Sequence, residues 1–151
     1  MVTGGSRGLG PYLARALANE GANLTLTARS ADSLHRVAKE LTGGATRVQT
    51  IAADVCDEGA RRQLLEEAES TLGPIDILVN NAGIEAIVSY TDLSPAQIET
   101  MVRTNLVAPL ILSRLVLEGM IERGRGHLVM MSSLGGKKGS PYSATYAATK
   151  A

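Results

Sequence analysis

Tyr146 and Lys150 stand four residues apart, and Ser132-Ser133 precedes them by little more than a dozen positions. A step of four puts two side chains on one face of a helix. An ammonium beside a phenol favours the phenolate, so a tyrosine paired in this way can act as general acid or base near neutral pH. Tyr142 competes by position, but it lies eight residues from Lys150 and has no lysine four residues on. A lone Y-x-x-x-K is more often an ordinary surface pair on a helix. Its weight therefore depends on what accompanies it.

A second chemical feature lies at the other end of the chain, in Thr3-Gly4-Gly5-Ser6-Arg7-Gly8-Leu9-Gly10. Glycines permit positive φ and close backbone approach. Backbone amides at a helix N-terminus then form a seat for a pyrophosphate. The spacing G-x-G-x-x-G is not met, because Gly8 and Gly10 are followed by Leu13. T-G-x-x-x-G-x-G is met by Thr3, Gly4, Gly8 and Gly10. No Gly-Lys-Ser/Thr is present, which disfavours a P-loop phosphotransferase. The bland alternative is a tight βα turn. Nineteen residues after Gly10, a candidate strand ends at Thr27-Ala28-Arg29-Ser30. In dinucleotide folds an acidic residue there binds the ribose 2′-hydroxyl, whereas an arginine accommodates a 2′-phosphate. Arg29, with Arg7 inside the glycine turn, therefore favours NADP(H) over NAD(H). Two solvated surface arginines are the plain alternative.

The elements that must position these residues alternate along the chain. Asn23–Ala28, Arg47–Ala53, Ile75–Val79 and His127–Met131 read as strands, rich in Val, Ile, Leu and Thr. Helical patterns fall between them. Pro11–Glu20 opens on proline and stops at Gly21; Ala31–Leu41 follows Ser30 and stops at Gly43-Gly44. Glu58–Leu72 follows Asp57 and stops at Gly73-Pro74. Pro95–Arg123 is long and interrupted by Pro109, and Ala144–Ala151 carries Tyr146 and Lys150. This alternation predicts an α/β fold, a doubly wound parallel sheet with the strand order 3-2-1-4-5 and a ligand crevice at the carboxyl ends of the strands. The first strand retains only Met1 and Val2 before the glycine turn, and the last helical pattern has no cap. The chain therefore reads as a fragment, one dinucleotide-binding domain without most of strand 1.

Composition narrows the function classes. The 151 residues are 44% hydrophobic and 20% charged, ordinary for a globular domain. Fifteen basic and fifteen acidic side chains balance, against a basic nucleic-acid binder. One cysteine forms no internal disulfide, the N-terminus shows no secretory signal, and no uninterrupted apolar run reaches a membrane-spanning length. The expected compartment is the cytoplasm, without nucleic-acid or membrane partners. Cys56 reads as a packed thiol and Met130-Met131 as strand core. Asp76 reads as a strand-edge polar residue and Lys137-Lys138 as part of a solvated turn. His35 and His127, far apart in sequence, give little support to a metal site.

Taken in order, the motifs resemble those of the short-chain dehydrogenase/reductase family. TGGSRGLG matches its cofactor turn, and Asp54-Val55 its adenine-contacting position. Asn80-Asn81-Ala82-Gly83 matches its N-N-A-G motif, and Asn105 in RTNLVAP its helical asparagine. Ser133 lies thirteen residues before Tyr146, as its catalytic serine does, and YAATK matches its Y-x-x-x-K. The resemblance implies a Rossmann-like oxidoreductase interconverting a carbonyl and a secondary alcohol. In it Tyr146 exchanges a proton with the substrate oxygen, Lys150 assists Tyr146 and binds the nicotinamide ribose, and Ser133 orients the substrate. Asn105 holds a relay water. Gly4, Ser6, Arg7, Gly8, Leu9 and Gly10 line the phosphates, Arg29 the 2′-phosphate, Asp54 and Val55 the adenine, and Asn81, Ala82 and Gly83 the adenosine ribose. The partner implied is a small carbonyl or alcohol substrate, a 3-oxoacyl thioester or a related carbonyl compound by resemblance. The helices Pro95–Arg123 and Tyr146–Lys150 would form homo-oligomer contacts. The family continues beyond Lys150 with further strands and a substrate loop, so the substrate pocket is expected to be largely absent. The competing expectation is an inactive truncated product or nucleotide-binding remnant.

Overall fold

Val2 and Thr3 are enough to make a central strand. In the computed structural model, which describes residues 1–41, 46–139 and 141–151, β1 is Val2–Thr3, flanked by β2 (Leu24–Ala28) and β4 (Ile77–Asn80). β3 (Val48–Ala52) lies outside β2, and β5 (His127–Met130) outside β4. All pairings are parallel and the order is β3-β2-β1-β4-β5, as the alternation of elements predicts. β1 is shorter than an ordinary strand, yet neither residue is exposed. The Val79 N–H donates to the Met1 carbonyl at 2.9 Å, continuing the ladder beyond the strand itself.

Helices cover both faces because successive strand side chains point to opposite sides. On one face Val2, Leu24, Leu26 and Val79 pack with Ala14 of α1 (Gly10–Asn19) and with Leu34 and Val37 of α2 (Ala31–Leu41). On the other, Ile51 and Leu78 pack with Leu64 and Ala68 of α3 (Glu58–Leu72) and with Leu112, Val116 and Met120 of α5 (Ala108–Glu122). α3 has the predicted bounds. The Asp57 carboxylate accepts from the Ala60 N–H at 2.7 Å, and Gly73 ends the helix at φ +86°. The stop expected for α2 at Gly43-Gly44 lies outside the described residues.

Three expectations need correction. The long helical run is α4 (Pro95–Val102), a π-helical segment at Arg103–Val107, then α5. Pro109 does not end it. Proline has no N–H to give the carbonyl of Asn105 four residues back, and the wider turn absorbs that mismatch. By length and composition alone Pro95–Glu122 would pass for a membrane span. Here its inward side chains Ala108, Leu112, Val116 and Met120 cover the sheet. The second correction is Met130, which is 46% exposed rather than core. Among the described residues β5 has a strand neighbour on one side only, and all four of its residues are exposed. Lys137 also departs from the expected loop, because it ends a one-turn helix, α6 (Leu134–Lys137), although its side chain is solvated as expected.

Candidate functional site

The carboxyl ends of the strands open into a cleft of about 1050 Å³. The glycine turn forms its floor between β1 and α1. Gly4 has φ +66°, and a Cβ on it would lie 2.8 Å from the Ala82 Cα, so the turn touches the segment that leaves β4. A Cβ on Gly10 would overlap the Gly4 carbonyl oxygen, which explains why a buried glycine opens α1. Gly8 has φ +60° and open space where its Cβ would be. That combination, a turn folded tightly on itself with one glycine facing empty space, is a seat a phosphate fits. Ser6, Arg7 and Leu9 line the cleft beside it.

Thr3 locks this floor to β4. Its hydroxyl accepts from the Ala82 and Asn81 N–H groups, each at 3.0 Å, and is itself within 3.4 Å of the Val79 carbonyl. The Asn81 side-chain amide donates to the carbonyls of Thr3 at 3.0 Å and Gly4 at 3.2 Å. Asn81, Ala82 and Gly83 thus reach the cleft, and Asn81 is at the same time a brace for the turn. At the far end Arg29, Asp54 and Val55 line the wall. The Asp54 carboxylate accepts from the Cys56 N–H at 2.9 Å. Cys56 is half-buried, as expected, with its sulfur 3.4 Å from the Thr104 hydroxyl.

α7 (Ala144–Lys150) brings Tyr146 and Lys150 to the opposite end. The Lys150 Nζ is 5.9 Å from the centre of the Tyr146 ring and donates to the Met131 carbonyl at 2.7 Å. Burial lowers the Lys150 pKa below its usual value, because a partly desolvated ammonium is less stable than a hydrated one. The Lys150 carbonyl accepts from the Ser132 hydroxyl at 3.0 Å, so both ends of this residue are tied to the segment after β5. Ser133 does not line the cleft. Its hydroxyl caps α6 by accepting from the Gly135 N–H at 3.1 Å, which leaves its own proton available. A Cβ on Gly135 would stand 3.4 Å from the Ser133 Oγ and 3.5 Å from the Tyr146 Cε1, so serine and phenol flank one small residue.

Asn105 sits in the π-helical segment, 5% exposed, behind the cleft wall. Its oxygen accepts from the Ile84 N–H at 2.9 Å. Its nitrogen donates to the Ile84 carbonyl at 2.9 Å and to the Thr149 hydroxyl at 3.0 Å. Asn105 thus joins the loop after β4 to α7. Several cleft residues escaped sequence reasoning. Arg36 and Ser33 follow Arg29 around the first turns of α2, at helical spacing from Ser30, a signal that was available.

A family model described as short chain dehydrogenase matches residues 1–151. The chain is 40% identical over 151 residues to the ketoacyl reductase HetN of Nostoc sp., covering all of this chain and 53% of that protein. It is 36% identical over 150 residues to gluconate 5-dehydrogenase of Gluconobacter oxydans, covering 99% of this chain and 59% of that one. Among solved structures it superposes on a metagenomic short-chain oxidoreductase in complex with NADP. There the TM-score is 0.92 at 34% identity, over 99% of this chain and 68% of the other. It also superposes on an actinorhodin polyketide ketoreductase variant with NADPH, at a TM-score of 0.94 and 34% identity, over 99% of this chain and 58% of the other. The chain belongs to the short-chain dehydrogenase family, with the fold that its motifs imply. It spans about half the length of the curated relatives it matches.

Proposed function

We propose that this chain is a single dinucleotide-binding domain carrying the reacting residues of an NADP(H)-dependent oxidoreductase, which interconverts a carbonyl and a secondary alcohol. The observation that carries the reading is the convergence of Tyr146, Lys150 and, beside them, Ser133 at one end of a cleft whose other end is floored by glycines. A bound nicotinamide cofactor supplies or accepts the hydride. Tyr146 then gives its phenolic proton to the substrate oxygen during reduction, or takes it during oxidation. Ser133 donates its free hydroxyl proton to that oxygen and orients it. Lys150, held by the Met131 carbonyl, sets its ammonium 5.9 Å from the centre of the Tyr146 ring. Asn105 holds the Ile84 loop against α7, and the family resemblance gives it the further role of holding a relay water.

Gly4, Ser6, Gly8, Leu9 and Gly10 would receive the pyrophosphate, Asp54 and Val55 the adenine, and Asn81, Ala82 and Gly83 the adenosine ribose. Arg7 and Arg29 favour NADPH over NADH. Both are exposed, line the same cleft, and have no ion-pair partner among the described residues. Charge-assisted contacts to a 2′-phosphate contribute ~1.5–3 kcal/mol each, enough for a tenfold preference. That two structural neighbours are described with NADP and NADPH supports this choice. The substrate class proposed is a small carbonyl compound, and a 3-oxoacyl thioester agrees with the ketoacyl reductase among the relatives. The outward side chains Leu110, Leu115 and Ile121 on α5 agree with assembly into a homo-oligomer.

The test is Tyr146→Phe in the whole protein, with turnover followed by the absorbance of the reduced nicotinamide and the binding of NADPH and NADH measured by titration. Turnover is expected to fall at least about a thousandfold while NADPH binding changes less than about threefold. Native turnover in the variant would remove Tyr146 from the reaction, and equal affinity for NADPH and NADH would remove the cofactor preference.

A further inference from the structure

The seven residues of α7 are too few to hold themselves in water, so something must fix the helix that presents Tyr146 and Lys150. Two consecutive residues of the loop after β4 reach both of its ends. Ile84 gives its N–H and its carbonyl to the Asn105 side chain, and Asn105 in turn donates to Thr149 in the last turn of α7. Glu85 accepts from the hydroxyl of Ser143, the residue just before α7, at 2.8 Å. Ser143 is 8% exposed, and its hydroxyl does not cap its own helix. Its carbonyl starts α7 by accepting from the Ala147 N–H at 2.8 Å. The residue before it, Tyr142, has φ +66°, a left-handed conformation that a side chain makes costly. Its carbonyl accepts from the Val88 N–H at 3.1 Å, from the same loop that carries Glu85.

We propose that Glu85 is a positioning residue: its bond to Ser143, paired with the Ile84–Asn105–Thr149 bridge, clamps α7 at both ends and sets where Tyr146 and Lys150 stand. The functional weight of this clamp rests on the reading of Tyr146 and Lys150 as the reacting pair, but its geometry does not. Removing the carboxylate leaves the nearly buried Ser143 hydroxyl without its partner and frees the strained Tyr142 turn to relax. A glutamine in place of Glu85 keeps an oxygen that accepts from Ser143, so the bond, rather than the charge, is what the clamp needs.

Amide hydrogen exchange on the whole protein tests this without substrate or turnover. Glu85→Ala and Ser143→Ala are each expected to speed exchange of the Tyr146–Lys150 amides about tenfold, while the β2 amides keep their native protection. The double variant should exchange no faster than either single one, and Glu85→Gln should stay within about twofold of the native chain. Native protection of α7 in Glu85→Ala, additive effects in the double variant, or a Glu85→Gln chain that behaves like Glu85→Ala would each overturn the clamp. Should Glu85→Ala lose its fold, Ser143→Ala and Glu85→Gln still decide the matter by the same criteria. Full turnover by Tyr146→Phe would defeat the proposed reaction and leave this exchange pattern standing.

Discussion

Replacing Thr3 by valine keeps the shape of the side chain and deletes the oxygen that joins the glycine turn to β4. Two N–H groups lose an acceptor, but not equally. The Asn81 N–H is also 3.1 Å from the Val79 carbonyl and retains that partner. The Ala82 N–H has the Thr3 hydroxyl at 3.0 Å as its bond in this turn and is left unpaired. Thr3 is 1% exposed, so water does not replace the lost oxygen. An orphaned buried donor costs ~1–3 kcal/mol, and a hydrogen bond that is only weakened costs ~0.5–1.5 kcal/mol. The expected total is about 1.5–4.5 kcal/mol, a large share of the ~5–15 kcal/mol that holds an ordinary domain together. With a urea slope near ~2 kcal/mol per molar, the unfolding midpoint should fall by about 0.8–2.3 M. Far-UV circular dichroism reads the transition, because the chain has no tryptophan. Thr3→Ser keeps the oxygen and should lose less than half as much. If valine shifts the midpoint by no more than serine does, the hydroxyl is not what holds the turn.

The other expectations concern the cleft and can be checked independently. Gly4→Ala drives a Cβ to 2.8 Å from the Ala82 backbone and should abolish NADPH binding or folding, whereas Gly8→Ala meets no protein neighbour and should cost the fold only the ~1–2 kcal/mol of its left-handed backbone while its Cβ, in the space proposed for the phosphate, weakens NADPH binding; calorimetric titration and thermal unfolding separate the two. Arg29→Asp should reverse the cofactor preference toward NADH by at least about tenfold, since it turns an attraction for the 2′-phosphate into a repulsion, and fluorescence titration with both dinucleotides measures it. Lys150 carries a burial penalty for its charge. Between its lowered folded pKa and the ordinary value of 10.5 the unfolded chain binds more protons, so stability gained by deprotonation rises with pH across that window. Urea unfolding at several pH values should therefore show native stability climbing relative to Lys150→Met as pH approaches 10.5, and a constant difference would contradict the burial argument.

The features legible in the sequence were those written in local residues. Asp57 and Gly73 mark the bounds of α3 because a cap and a left-handed glycine act within one turn. The strand order followed from alternation and the handedness of crossovers, which do not depend on particular side chains. Arg29 and the glycines were visible for the same reason. The features that escaped depend on partners distant in sequence. HLVM reads as core by composition, yet β5 is exposed because periodicity does not report how many neighbours a strand has. Pro109 marks an interruption, but whether the helix ends or widens is decided by packing on the sheet. Glu85 and Ser143 are 58 positions apart and ordinary in type, so no spacing rule links them.

The brevity of β1 bears on how the molecule comes together in time. Val2 pairs with Leu26 on one side and with Val79 on the other, so the middle of the sheet joins chain segments that are far apart. β2 and β3 meet over a separation of 24 residues and are free to associate early, while the junction of β1 with β4 waits until a loop of some 76 residues closes. Closing so long a loop is entropically costly, and two residues recover little of that cost before the helices dock. The floor of the cleft, with Thr3 fastened to Asn81 and Ala82, is therefore expected to be among the last regions to set during folding. A folding chain is therefore expected to gain affinity for a dinucleotide only once β1 has joined β4, and a ligand present at that moment would act as a late-stage folding aid.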